Sequence, residues 1–281
     1  MRVLACILTL LSACWLAPAG AQTISNPAPL VLAVHPYLPA TEIVARFTPL
    51  ANYLARAMGQ AVIVRVGPNY AAHIDAIGRN SVDIAYLGPA SYVKMVALHG
   101  KKPLLARQEV DGQAYLRGAI IVRQDSPLHT LAELKGKRFA FGDPDSTMSH
   151  VVPLRMLEQA GVAEKTLANQ QFFGSHKNVA LAVLAGDFDA GAVKQEVFDE
   201  MASKGLRALA FSPLVADHVF VASNKLSAEQ VAKLRAAMMR LKTAADQKSV
   251  LQAIHPKMTA LVPALDSDYD NLRALMGGAE R

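Results

Sequence analysis

Cysteine is scarce in this sequence, and both of its cysteines lie near the amino terminus. No cysteine follows Cys14 in the 281-residue chain, so a chain cleaved beyond that point has no thiol. Such a chain forms no disulfide, catalyses no thiol chemistry and binds no metal through cysteine. A hydrophobic core must therefore stabilise it, and the length, with 52% hydrophobic residues, is sufficient for one or two α/β cores.

A hydrophobic run long enough to cross a bilayer is also lacking. The longest run, from Val3 to Leu16, is shorter than the about 20 residues that a spanning helix needs. It follows Arg2 and precedes the small-residue triplet AGA at 19–21, an order typical of a secretory signal peptide. The pattern predicts export and a periplasmic location.

Two processing sites are consistent with this amino-terminal pattern. We expect cleavage after Ala21, which removes the single charge of Arg2 and lowers the formal net charge from +6 to +5. The segment LSAC at 11–14 resembles a lipoprotein box, so lipidation of Cys14 is the alternative. The mature chain is only mildly basic, which argues against nucleic acid as a partner.

The common signatures of enzymes are absent as well. The sequence contains no GxSxG, HExxH, GxxxxGK[ST] or GxGxxG, and its histidines lack metal-binding spacing. Asp266, Asp268 and Asp270 have calcium-loop spacing, but Asn271 and Gly277 replace the glycine and glutamate that such a loop requires. We therefore expect no catalytic residue, no metal and no cofactor, and an enzyme on this fold is the remote alternative.

What the sequence does contain is a regular alternation of strand-like and helix-like segments. The first half has strand patterns at 30–34, 61–66 and 83–87, with helical patterns at 41–58, 70–77 and 90–98. The second half repeats this rhythm, with strand patterns at 138–141, 170–173 and 188–193 and helices that begin at 146 and 177. A last long helix, capped by Ser227 and Gln230, is expected to reach about Ala244. This order predicts parallel-rich sheets flanked by helices.

Two such units in succession predict two lobes. The segments at 104–110 and 116–122 are typical of crossing or antiparallel strands, and those at 206–211 and 219–222 are typical of strands, so we expect the chain to leave the first lobe near Gly118 and return near Pro213. Lobe one then comprises 22–117 and 214–281, lobe two comprises 118–213, and two hinge strands join them. Ligands bind beyond the carboxyl ends of strands in such sheets, which points to the turns at 67–70, 87–91 and 142–150.

The turn GDPDSTMSH at 142–150 has two interpretations. Ser146 and Thr147 stand at the start of a helix, where free N–H groups and the helix dipole favour a bound anion. The alternative is that one of the two hydroxyls serves only as a helix N-cap. Asp143 and Asp145 favour that alternative, because carboxylates repel an anion.

The motifs taken together resemble one family. They are FTPLANYL at 47–54, NYAA at 69–72, VDIAYLGPASYV at 82–93, DPDST at 143–147, GSH at 174–176 and ALAVLAG at 180–186. In order and spacing they resemble the periplasmic substrate-binding proteins of phosphonate, phosphite and phosphate ABC transporters. The resemblance implies a two-lobed type II α/β binding protein that captures a small tetrahedral oxyanion and delivers it to an inner-membrane ABC permease, without nucleic acid and as a monomer. A ligand-sensing subunit of a membrane histidine kinase is the alternative.

The resemblance also implies the ligand-binding residues. They are Tyr70, Ser146, Thr147, Ser149 and His176. Met148 departs from the family's Ser-Thr-Ser-Gly run, and this leaves the identity of the oxyanion open. Glu196 and Asp217 could meet an amino group of an organic phosphonate, but we expect both, and Lys194, to be solvated.

Overall fold

The structure is a computed structural model, and it describes residues 28–242 and 248–277. The expected signal peptide and both processing sites lie outside those residues. No helix of the described ranges is long and apolar enough to cross a membrane.

The described residues form strands and helices close to the predicted positions. The strands are β1 Leu30–Val34, β2 Val62–Val66, β3 Ile84–Leu87, β4 Leu104–Val110, β5 Tyr115–Leu116, β6 Gly118–Arg123, β7 Arg138–Phe141, β8 Asn169–Phe172, β9 Ala190–Lys194, β10 Leu206–Phe211, β11 Val215–Ala216, β12 Val219–Ala222 and β13 Met258–Val262. The helices are α1 Ala40–Met58, α2 Tyr70–Gly78, α3 Pro89–His99, α4 Val152–Gln159, α5 His176–Ala185, α6 Gln195–Met201, α7 Ala228–Arg240, α8 Lys248–Ile254 and α9 Asp270–Gly277.

These strands form two mixed sheets. The larger sheet has the order β13-β4-β12-β3-β1-β2, and the smaller has the order β10-β6-β9-β7-β8. Parallel pairs join β1 to β2 and β3, and β7 to β8 and β9, whereas the remaining pairs within the two sheets are antiparallel. Parallel neighbours need a crossover helix, so they occur where βαβ units build the sheet. Strands next to the interlobe connections pair antiparallel instead.

A short ribbon connects the two sheets. Strands β5 and β11 pair antiparallel, with Leu116 opposite Val215 and Tyr115 opposite Ala216. The chain passes through this ribbon once in each direction, because the smaller sheet is built from residues 118–211 and the larger one from residues on both sides of that segment. The lobe boundaries that we predict, 117/118 and 213/214, fall beside the ribbon. Helices α7 and α8 return to pack on α1 of lobe one.

The helical pattern predicted for 41–58 corresponds to the buried face of α1. Ile43, Phe47, Leu50 and Leu54 are fully buried in the core that α1 shares with α7 and α8. Helix α7 retains the predicted Ser227–Gln230 capping box but ends at Arg240, earlier than expected, because Leu241 and Lys242 form a turn.

The turn after β7 differs from the simple helix start that the sequence predicts. The N–H groups of His150 and Val151 both donate to Ser146 O, at 3.1 and 3.0 Å, so the chain makes one wide π-type turn at Thr147–Val151 before α4 begins. Such wide turns often occur at functional sites. This turn lies on the lobe-two side of the interlobe boundary.

Candidate functional site

The strand-to-helix turns of both lobes meet at a small cavity between them. It offers about 20 Å³ to the centre of a water-sized sphere, slightly more than one water needs. Lobe one contributes residues after β1, at the start of α2 and before β12, and lobe two contributes the π-type turn and the start of α5. Six of the lining residues are His35, Tyr70, His218, Ser146, Thr147 and His176.

Ser146 is a helix N-cap, as the alternative interpretation of the turn expects. Its Oγ accepts the N–H of Ser149 at 3.3 Å, and its side chain is buried at the cavity. A hydroxyl that accepts a hydrogen bond still has its own proton to donate. Capping the helix and binding an anion are therefore compatible for this residue.

Thr147 connects the two lobes. Its Oγ1 accepts the N–H of Ala90, which lies in the first turn of α3 in lobe one, at 2.9 Å. The acceptor role of the hydroxyl is thus filled from across the interlobe boundary. Because Thr147 also lines the cavity, its proton remains available to a ligand there.

His176 is held as a neutral hydrogen-bond donor. Its Nδ1 accepts the backbone N–H of Lys194 at 3.0 Å, so the proton of the neutral ring resides on Nε2. Burial lowers the pKa of His176 to about 3, with further lowering by the charges of Lys194 and His218. Nε2 lies 3.4 Å from Ser146 Oγ, at the cavity.

Ser146, Thr147 and His176 share one arrangement. Each gives its acceptor atom to a backbone N–H group and keeps one proton, and the proton on His176 Nε2 faces Ser146 Oγ at the cavity, 3.4 Å away. Donors fixed in this way lose little conformational freedom when an anion arrives. Lobe two therefore presents a preorganised set of neutral donors.

Tyr70 approaches the same point from lobe one. It is the first residue of α2, which Asn69 caps by accepting the N–H of Ala72 at 2.8 Å. The phenol lies beside the Ser146 hydroxyl, and burial, followed by the negative charge of Asp143, raises its pKa. Tyr70 thus stays protonated and can donate to an oxyanion.

Ser149 occupies a different place from the other predicted ligand-binding residues. It is fully buried, and its hydroxyl donates to the carbonyl of Ala192 in β9. The turn packs tightly on it, because a Cβ on Gly142 would lie only 2.6 Å from Ser149 Oγ. The structure therefore directs this hydroxyl into the framework of lobe two.

The two acidic residues of the turn do not point freely into the cavity. Asp145 forms an ion pair with Lys94 of α3, and its carbonyl accepts the Ser91 hydroxyl at 3.3 Å. Asp143 accepts the backbone N–H of Asp145 at 2.9 Å, and burial raises its pKa. The repulsion that these carboxylates would exert on an anion is thereby reduced.

Lobe one also contributes an imidazole cluster that the sequence did not predict. His35 follows β1, His73 lies in α2 and His218 precedes β12, so the three are far apart in sequence. The His35 ring stacks on the His218 ring at 5.3 Å between centroids and lies 6.0 Å from the His73 ring. The only sequence signal was the position of His35 at the carboxyl end of a buried strand.

A larger cavity lies beside the small one and shares four of its walls. It offers about 410 Å³ to the centre of a water-sized sphere, and the shared residues are Tyr37, Leu116, Lys194 and His218. The two cavities therefore form one continuous wall of the interlobe cleft at these residues.

Our expectation that Glu196, Lys194 and Asp217 are solvated was wrong. Glu196 forms ion pairs with Lys194 and with Arg46 of α1. Burial opposes its ionisation, but the charges of Lys194, His255 and Arg46 outweigh burial, so the pKa of Glu196 falls to about 2. Asp217 is buried and accepts from His218 Nδ1 at 2.8 Å. Ion pairs and packing between distant residues partly or fully bury these groups, which sequence patterns do not report.

Two α/β lobes joined by a ribbon around a polar interlobe cavity define a two-lobed solute-binding protein. A solved structure of PhnD1 from Prochlorococcus marinus in complex with methylphosphonate matches with a TM-score of 0.82 and 22% identity, over 90% of this chain and 99% of that chain. A binding protein component of an ABC phosphonate transporter from Pseudomonas aeruginosa matches with a TM-score of 0.79 and 23% identity, over 88% of this chain and 85% of that chain. These likenesses confirm the predicted fold class.

The family itself follows from the sequence match. The profile of the family described as "ABC transporter, phosphonate, periplasmic substrate-binding protein" matches residues 32–269, and the chain belongs to that family. The phosphate-import protein PhnD of Mycolicibacterium smegmatis is 27% identical over 96% of this chain and 92% of its own length. The phosphonates-binding periplasmic protein of Escherichia coli is 26% identical over 74% of this chain and 65% of its own length. The family resemblance inferred from the motifs is thereby confirmed.

Proposed function

We propose that this protein captures a small tetrahedral oxyanion of phosphorus between its lobes and delivers it to an ABC permease. The observation that carries the proposal is the set of three donors, Ser146, Thr147 and His176, whose acceptor atoms are all occupied by backbone N–H groups. A cavity lined by oriented protons suits a ligand whose surface consists of oxygen lone pairs.

The charge of the site suits an anion that must also be released. The donors are neutral, and the ammonium of Lys194 is already paired with Glu196. Each hydrogen bond from such a donor to a charged acceptor contributes about 1.5–3 kcal/mol. A few such hydrogen bonds bind the anion firmly without the stronger attraction that an unpaired cation would exert.

The ligand contacts are proposed residue by residue. Ser146, Thr147 and His176 of lobe two and Tyr70 of lobe one contact the oxyanion, and an anion that reaches both lobes stabilises the closed state. Ser149 supports the turn from behind through Ala192 and does not contact the ligand. The relatives named for phosphate and phosphonates support phosphorus as the central atom.

The remaining parts of the proposal follow from the family. We place the protein outside the cytoplasmic membrane, as a monomer that binds its ligand without turning it over. Its partner is the inner-membrane permease, and the cavity between the lobes is the only ligand site we invoke.

A ligand panel tests the proposal. The purified mature protein is heated with phosphite, methylphosphonate, aminoethylphosphonate, phosphate, arsenate or sulfate, and the ligand is recovered afterwards. We expect at least one phosphorus oxyanion to stabilise the fold by about 2.7 kcal/mol at 100 times its Kd and to be recovered unchanged. No stabilisation by any of them, or chemical conversion of the ligand, would contradict the proposal.

A further inference from the structure

His35 has a fixed tautomer that is opposite to that of His176. Its Nδ1 lies 3.1 Å from Tyr86 O, and His73 Nε2 lies 3.1 Å from the same oxygen. A carbonyl oxygen only accepts hydrogen bonds, so both of these ring nitrogens carry protons. In a neutral His35 ring, Nε2 is therefore a bare lone pair.

This lone pair is available to the cavity. His35 is 1% exposed and lines the cavity, and within the described residues the only hydrogen bond of its side chain is the one from Nδ1. Among the described residues, Nδ1 of His73 is fully enclosed and has no hydrogen-bond partner. Nε2 of His35 is not enclosed in this way. A buried acceptor that lacks a protein partner is costly unless a ligand or water donates to it.

The surroundings keep the His35 ring neutral. Burial, then the charges of His218 and His73, lower its pKa well below the ordinary value, although its bond to Tyr86 O opposes this shift. Lys194 lowers the pKa further from lobe two, and Asp217 binds the far side of His218. The remaining rings around it, with centroids 4.9 to 5.5 Å away, are those of Tyr37, Tyr70 and Tyr86. These groups, from both lobes, make protonation of Nε2 unfavourable.

We propose that His35 Nε2 accepts a hydrogen bond from a protonated oxygen of the ligand, so that the site selects a tetrahedral oxyanion carrying one proton. This inference rests on the proposed function. Three fixed donors and one fixed acceptor match the surface of a P–OH monoanion. A fully deprotonated oxyanion instead places a lone pair against the lone pair of Nε2.

The proposal separates two ligands of nearly the same shape. At pH 6 a large share of methylphosphonate retains one proton, because the second pKa of such groups is about 6 or somewhat higher, whereas methanesulfonate has none to donate. By titration calorimetry at pH 6 we expect methylphosphonate to bind roughly tenfold to a hundredfold more tightly, the range expected for a buried acceptor left unpaired. Equal affinity for the two ligands would overturn the proposal.

A pH series with a matched pair of variants identifies the residue responsible. For the wild-type protein we expect the affinity for methylphosphonate to fall by about tenfold per pH unit above the second pKa of the ligand. In His35→Gln the amide can rotate and donate, so this slope should flatten and methanesulfonate should bind more tightly. His73→Gln is the control, because His73 bonds to the same Tyr86 carbonyl but does not line the cavity, and it should retain the wild-type slope.

The binding measurements distinguish the role of His35 from the proposed function. His218 lines the same cavity, so a slope that His35→Gln leaves unchanged would overturn the role of His35. The methylphosphonate and methanesulfonate comparison uses only wild-type protein and stands even where a variant fails to fold. Binding without discrimination contradicts this inference alone, whereas no binding of any oxyanion removes the proposed function and this inference together.

Discussion

The two sides of the interlobe cavity use different chemistry. The lobe-two side consists of short polar residues at helix starts, and backbone N–H groups set the direction of each proton. The lobe-one side consists of stacked imidazole and phenol rings around His35, with one carbonyl, that of Tyr86, accepting from two histidines. Lobe two therefore provides donors, and lobe one provides an aromatic wall that includes the Tyr70 donor and the acceptor Nε2 of His35.

The difference shows that backbone groups, more than net charge, determine whether the side chains of a small site donate or accept hydrogen bonds. Ser146 and His176 would each be able to donate or accept in water, but a buried N–H group occupies one option in each. His35 is restricted in the opposite sense by a carbonyl. Acid, loss of a lobe-two donor and loss of the Thr147 hydroxyl should each test this difference between the lobes.

The largest effect is expected from acid on the unliganded protein. Burial lowers the pKa of His73 to about 4 and of His176 to about 3, and it lowers that of His35 well below its ordinary value. Below pH 6.5 the unfolded chain binds protons that the folded chain does not, so the free energy of unfolding should fall as the pH drops. The slope should approach about 1.4 kcal/mol per pH unit for each histidine.

Urea denaturation between pH 7.5 and 5 measures this slope. Two of the three histidines belong to lobe one, so replacing His35 and His73 together should flatten the slope about twice as much as replacing His176 alone. Glu196 does not interfere, because its lowered pKa of about 2 places its loss of stabilisation below pH 4.5. Stability that is constant or rises toward pH 5 would show that these histidines are not held neutral.

A smaller effect is expected from removing one donor of lobe two. His176→Ala deletes the Nε2 donor and leaves the buried N–H of Lys194 without an acceptor. We expect the oxyanion affinity to fall by roughly tenfold to a hundredfold and the free energy of unfolding to fall by about 1–3 kcal/mol. His176→Gln retains a donor and should lose less affinity. Calorimetry that finds unchanged affinity for His176→Ala would remove this residue from the donor set.

The smallest effect on unliganded stability is expected at Thr147. Thr147→Val has nearly the same shape but cannot donate to the ligand or accept from Ala90 across the lobes. The affinity should fall by about one to two decades, while unliganded stability should change little, because separation of the lobes lets water bind the N–H of Ala90. Thr147→Ser retains the hydroxyl and should bind almost as the wild type does. Matching affinities for the Val and Ser variants would identify Thr147 as a helix-start residue only.

Local sequence patterns predicted much of the fold. The strands β1, β4, β7, β10 and β12 have the predicted bounds, because alternating or continuous apolar runs report burial on a sheet face directly. The predicted donors Ser146, Thr147 and His176 lie at helix starts, where short polar side chains cap the chain. Antiparallel pairing was predicted for β4 and β6 but not for β10, β12 and β13, since strand direction depends on which segment becomes the neighbour.

The chemistry of the cavity depended on contacts between distant residues. Sequence patterns were sufficient to predict the two α/β units and the hydroxyls and the histidine at strand-to-helix turns. The contacts of Ala90 with Thr147, of Lys194 with His176 and of Tyr86 with His35 join residues 57, 18 and 51 positions apart, and they form only in the folded chain. The physical reason is that a side chain's proton is directed by its buried hydrogen-bond partner, and that partner is defined only when the lobes fold and close.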